Sequence, residues 1–318
     1  MTSSPLRVAP THAWRGLLLV SAAGVVWGTI GPAVQLAHDA SGLSPWTISA
    51  YRSAVAVLTL VAASLVTGRL TTCQSLARRH GRRVTVTGLA TATFMLLFFV
   101  AVVAARVSVA TVLALGLAPV LLLAVDSVRR RRAPAGAQVV TVAAALAGLA
   151  SVSVAGAGGG GGGQAPHTVL GILAALGSGT AYAVSTHVGA PLSREHDALA
   201  ITTVTMAVAA GVLVPGGLLA AYLLGEPMST TDVGAWSLLA YLGVVTMAFA
   251  YVLLYAGLRS TTSGAAVVAT LLEPVTAVLI AVLLLGERPT AAVVVGTLLI
   301  LGAIATLTRQ VEAEPPPQ

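Results

Sequence analysis

The chain has 318 residues, of which 57% are hydrophobic and 8% charged, with a mean hydropathy of +0.93. A soluble domain carries about 25% charged residues, and much of its surface must stay wet, so this composition fits lipid as its solvent and excludes soluble multidomain, nucleic-acid-binding and secreted disulfide-scaffold proteins. The net charge of +7 rests on 17 basic residues, all arginine; the lone Cys73 has no second thiol, and no Walker lysine or HExxH pattern is present, so ATP-driven pumping is excluded and no metal or cofactor is expected.

A bilayer core takes about 20 apolar residues as helix, and ten such runs follow one another. Residues 1–13 are polar and Pro-broken and read as a tail. The first span, 14–36, holds Trp27, whose amphipathic ring can wall a polar pathway or simply pack, with Gln35 as a further polar group. The second, 45–67, holds Arg52, seven residues past Pro45 and so roughly 10 Å from the helix end. Two readings stand for it. It snorkels or forms a structural ion pair, or its guanidinium fork binds an anionic solute group in a cavity. Spans three and four, 84–104 and 108–127, meet at a tight break near Arg106 and form a helical hairpin. Pro119 is a candidate helix break in span four, and Arg129 to Arg132 follow it. The fifth span, 137–155, leads into the linker 156–166, whose glycine run from Gly158 to Gly163 is a flexible tether. A phosphate cradle would need a strand before it and GK[ST] after it.

The sixth span, 168–188, carries Tyr182, together with Ser185 and His187. Spans seven and eight cover 198–223 and 233–257. In the ninth, 262–285, Glu273 precedes Pro274 near mid-span, about 16 Å from either face. Proline frees a carbonyl, so a helix break is expected at Pro274. A carboxylate at this depth is a functional hypothesis by default. It serves as a proton relay or ammonium ligand, or it is a structural group satisfied by neighbouring helices. Glu287 and Arg288 form a turn before the tenth span, 290–308, and 310–318 is a disordered tail.

Arginine sets the orientation, because cytoplasmic loops retain positive charge. With the N-terminus inside, 14 arginines fall on inner segments, Arg106 and Arg288 fall outside, and Arg52 lies within a span. Both termini are therefore expected in the cytoplasm. Trp14, Trp46 and Trp236 stand at span ends, where aromatic rings anchor.

A shift of 155 residues aligns the chain with itself: Gly16 with Gly171, Gly24 with Gly179, Trp27 with Tyr182, Pro119 with Pro274 and Pro134 with Pro289. Glu273 aligns with Ala118, so its role is single. Each copy has five spans, an odd number, and the second copy enters the membrane inverted. Inverted repeats mark secondary transporters, with the substrate site near the midplane between halves. The expected fold is an all-α polytopic membrane protein of ten helices, with 14–155 and 167–309 as its two repeats.

The stretches "VVWGTIGPA" (Val25–Ala33), "SAYRSAVAVL" (Ser49–Leu58) and "LLEPVTAVLIAVLLLGERPT" (Leu271–Thr290) resemble the EamA family of the drug/metabolite transporter superfamily. The resemblance spans residues 16–308 and implies ATP-independent export or exchange of small, often amino-acid-like, metabolites. It departs from the family in the first repeat, where Arg129 to Arg132 replace a Gly-Glu turn. The expectation is thus an alternating-access exporter in the plasma or inner membrane, monomeric or homodimeric, with proton coupling as one option. A membrane enzyme or a channel is the alternative. The "LGSG" around Ser178 lacks rhomboid spacing, and no aspartate pair lies within the spans. Arg52, Glu273, Trp27, Tyr182 and Gln35 are the candidate substrate or coupling residues.

Overall fold

The computed structural model describes residues 13–105, 107–156, 168–284 and 288–313. Arg106, most of the glycine linker, Glu287 and residues 1–12 and 314–318 lie outside the described residues, whereas 310–313, expected as disordered tail, continue the last helix. Among the described residues, nine helical spans are long and apolar enough to cross a membrane, and the shorter apolar helix Ala291–Leu307 follows them.

Span one is split into α1 (Ala13–Trp27) and α2 (Ile30–Ser41). Span two is α3 (Pro45–Val66), and Ser44 caps it by accepting from the Thr47 N–H, with proline at its first position. α4 (Leu70–Arg79) is a short helix in the inner segment between the second and third spans. It forms because Cys73 and Leu76, three apart, bury one face, while Arg78 and Arg79 sit at its C-terminal end, where cations are favoured. Spans three to seven are α5 (Gly81–Ala105), α6 (Val107–Arg130), α7 (Gly136–Gly156), α8 (Thr168–Glu195) and α9 (Ala198–Leu224). Span eight comprises α10 (Val233–Tyr241), a π-helical stretch over Leu242–Phe249, and α11 (Ala250–Leu258). Span nine is split into α12 (Ser263–Ala269) and α13 (Leu272–Leu284), and α14 (Ala291–Ala313) is span ten.

The two proline expectations come out differently from the sequence reading. α6 runs through Pro119 without interruption, since one lost hydrogen bond can be absorbed where neighbouring helices hold the backbone. In span nine the break is at Thr270–Leu271, ahead of the proline. Pro274 stands in the first turn of α13, where its missing N–H would have had no helical partner anyway.

Packing follows the repeat. Span one lies on span eight and span six on span three, while two packs on seven and five on ten. These are the pairs that a two-fold relation between inverted repeats generates. The α7–α14 seam carries the same relation at the level of single residues. Thr141 Oγ1 lies 3.1 Å from Thr306 Oγ1, and the matching pair, Ser151 and Gly296, is so close that a Cβ on Gly296 would stand 2.9 Å from the Ser151 Cβ. Lipid offers helices no hydrophobic drive to associate, so close backbone approach at small residues carries the packing.

Candidate functional site

The two broken spans meet at their breaks. A Cβ on Gly28 would stand 2.5 Å from the Glu273 carbonyl oxygen and 2.5 Å from the Thr276 Cβ, so only glycine fits there. One turn earlier, a Cβ on Gly24 would lie 3.0 Å from the Thr270 Cα and carbonyl oxygen. Glu273, half-buried, occupies the first turn of α13, and its N–H donates to the Thr270 carbonyl at 3.0 Å. The positive end of the α13 dipole therefore faces its own carboxylate, the favourable sign.

Two aromatic residues flank the breaks. Trp27, the last residue of α1, donates from Nε1 to the Thr246 carbonyl at 2.9 Å and tilts against Tyr251, with ring centroids 5.2 Å apart. Thr246 belongs to the π-helical stretch of span eight, and π-helical turns recur at functional sites. Tyr182 shares a 2.9 Å hydrogen bond with Thr270 and stacks on Phe94 at 4.9 Å. Both rings are buried.

Arg52 is only 6% exposed, so it does not snorkel to the surface. Its Nε has no hydrogen-bond partner, nor does the buried hydroxyl of Ser49 one turn earlier on the same helix face. The guanidinium is close enough to Tyr251 and Glu273 to interact electrostatically with both. No ion pair joins Arg52 to Glu273 among the described residues. A buried guanidinium and a half-buried carboxylate are thus held near each other without neutralising contact.

A cavity of about 640 Å³ enters from the arginine-rich end between the repeats. Its exposed rim includes Arg129, Arg130 and Arg194; His187, Gln138 and Thr141 line its wall, and Pro119, Leu122 and Val268 lie deeper. Arg52 and Glu273 do not line it. The apolar cluster of Ala118, Leu122, Tyr182, Ala183 and Val267 adjoins the cavity through Leu122 and reaches span nine at Val267. The opposite end is packed between spans one, two and eight among the described residues. There, Ala33, Ala37, Leu43, Ile48, Leu239 and Leu242 pack together, the Tyr51 hydroxyl donates to the Met228 carbonyl at 2.6 Å, and Thr29 pairs with Tyr241 at 2.7 Å.

A protein-family model described as the EamA-like transporter family matches residues 14–154 and again residues 169–309. The chain belongs to the EamA-like transporter family. One solved crystal structure, titled only as that of a protein, is similar at a TM-score of 0.74 and 22% identity, over 93% of this chain and 98% of its own. That likeness shows the fold. The curated proteins contain no match.

In this EamA-like membrane transporter, four of the five candidates named from sequence converge: Trp27, Tyr182, Arg52 and Glu273 all surround the paired breaks. Gln35 does not join them. It lies exposed on α2 and donates to Asp39, one turn on, at 2.9 Å. Tyr251, Thr246, Thr270 and Ser49 are the residues the sequence reading missed. Tyr251 and Tyr255 stand four apart on span eight, a helical spacing that would have marked one face for aromatic contact. Thr270 had no signal, because its importance comes from a break that no proline or glycine announces.

Proposed function

We propose that this transporter is a proton-coupled secondary exporter of small amino-acid-like solutes in the plasma or inner membrane, working by alternating access. Both termini are cytoplasmic; residues 14–155 and 167–309 form its two domains, joined by the outer linker 156–166 and flanked by tails at 1–13 and 310–318. The observation that carries the reading is the buried, unpartnered Arg52 Nε held near Glu273 beside two discontinuous helices. Arg52 offers a fork to a solute carboxylate. Glu273 takes either the solute ammonium or a proton, because a bare carboxylate is costly once the cavity closes around it. Competition of proton and ammonium for one carboxylate is antiport. With the arginine-rich end cytoplasmic, the cavity at that end and the packing of spans one, two and eight at the other support a cytoplasm-facing state.

Two experiments test this. In proteoliposomes given only a pH difference, the wild-type protein concentrates a member of a labelled amino-acid panel, while Glu273→Gln retains downhill exchange but concentrates nothing. Concentrative transport by Glu273→Gln sinks the proton role. For orientation, a reporter active only in the cytoplasm should work when fused after Arg132 or Gln318 and fail near Gly160. A working fusion at Gly160 overturns both the topology and the inverted insertion.

A further inference from the structure

At the arginine-rich end, outside the cavity lining, two connections from different repeats touch. His80 closes α4 before α5 begins, and Glu195 and His196 join α8 to α9. The His80 and His196 rings lie 4.8 Å apart, tilted by 60° rather than stacked. One ligand atom from each of His80, Glu195 and His196 lies within 4.8 Å of the others. The Nε2 of His196 is buried with no hydrogen-bond partner. The surrounding backbone is well anchored: the His80 N–H donates to Leu76 and the His196 N–H to Leu192, both at 2.9 Å. Next to His196, Asp197 caps α9 through the Ala200 N–H and forms an ion pair with Arg69 at the start of α4. That pair ties the start of α4 to the α8–α9 connection independently of the histidines.

We propose that His80, Glu195 and His196 bind one divalent cation of the zinc class. Two imidazoles and one carboxylate suit zinc, with water in a fourth position. Calcium and magnesium want all-oxygen sets, which this site lacks. Tetrahedral zinc ligands stand about 3.3 Å apart, so the three groups must draw together, and Glu195, exposed and with three side-chain torsions, is free to do most of it. The orphaned His196 nitrogen would gain its partner in the metal. Arg78, Arg79, Arg82, Arg83 and Arg194 stand on the helix ends that flank these loops and lower the affinity for any cation, which favours the metals that bind nitrogen most strongly. His80 lies in the first repeat and the other two ligands in the second. A bound cation therefore ties the ends of the two repeats together and stabilises the arrangement in which they touch.

The site is tested on the purified full chain in detergent micelles, titrated with zinc chloride alone, so its outcome is independent of Arg52, Glu273 and any substrate. The expected result is one zinc bound per chain with a rise in melting temperature. His80→Ala and His196→Ala should each weaken binding by about tenfold or more, while His187→Ala, in the separate cavity wall, leaves it unchanged. Because a histidine replacement can disturb folding, Glu195→Gln on the exposed ligand is the guard. It should weaken zinc binding with unaltered helix content and elution volume. Absence of stoichiometric zinc on the wild-type chain overturns the proposal, as does wild-type affinity in any of the three ligand variants or loss of binding in His187→Ala.

Discussion

Spans one and nine make a broken pair; spans six and four, their repeat counterparts, make a continuous one. The glycine contact is the same in both. Gly24 meets the backbone of Ala269 and Thr270, and Gly179 meets that of Leu113 and Ala114, which are the positions two-fold symmetry requires to within a residue. Everything polar differs. Where span one has Gly28 at its break, span six has Ala183 within an unbroken helix, and where span nine has Glu273, span four has the fully buried Ala118. The comparison separates two kinds of constraint. Close helix packing in lipid needs small residues at fixed positions and is duplicated with the repeat. An ionisable group in the membrane needs irregular backbone, polar neighbours and room, and is supplied once.

The largest effect should come from filling the one place where the two pairs differ most in space. Gly28→Ala forces a methyl against the Glu273 carbonyl and the Thr276 side chain. Overpacking of this kind costs about 1–3 kcal/mol, and a displacement on the order of 1 Å at Glu273 should lower transport by about 100-fold. The reciprocal change, Ala183→Gly, should cost only about 1 kcal/mol through helix propensity and leave transport near wild type. Initial rates at matched protein levels check both. Equal losses in the two variants would show that the breaks do not distinguish the pairs.

Arg52→Lys comes next. It keeps the charge but loses the planar fork, and a charge-assisted hydrogen bond is worth about 1.5–3 kcal/mol. Apparent affinity for a carboxylate-bearing solute should fall by about 10- to 100-fold, with little change for Ser53→Ala, whose hydroxyl already bonds within its own helix. Near-normal affinity in Arg52→Lys would remove the arginine from the binding role.

The smallest effects distinguish the two aromatic positions. Trp27→Phe strips the donor from a buried Thr246 carbonyl and should cost about 1–3 kcal/mol. Tyr182→Phe loses one hydroxyl pair, but Thr270 keeps its bond to the Val267 carbonyl, so the expected loss is about 0.5–1.5 kcal/mol. Thermal unfolding in detergent ranks the two, and a reversed order would mean that Tyr182, not Trp27, holds the break in place.

The sequence by itself determined the membrane class, the succession of spans and the inverted repeat, because hydrocarbon imposes a fixed length of apolar helix and duplicated glycines and prolines keep their spacing. It also singled out Arg52 and Glu273, since charges within spans are too costly to be incidental. Tertiary structure decided the rest. Pro119 and Pro274 each suggested a break, yet α6 continues and span nine parts at Thr270–Leu271, where the close approach of Gly24 and Gly28 replaces the lost helical order. Gln35 has the chemistry of a site residue but lies exposed on α2 and bonds to Asp39 one turn on. His80 and His196 stand in different repeats, and no spacing in the chain could join them. Periodicity records how a helix meets its solvent, whereas which polar atoms meet one another depends on how helices far apart in sequence cross.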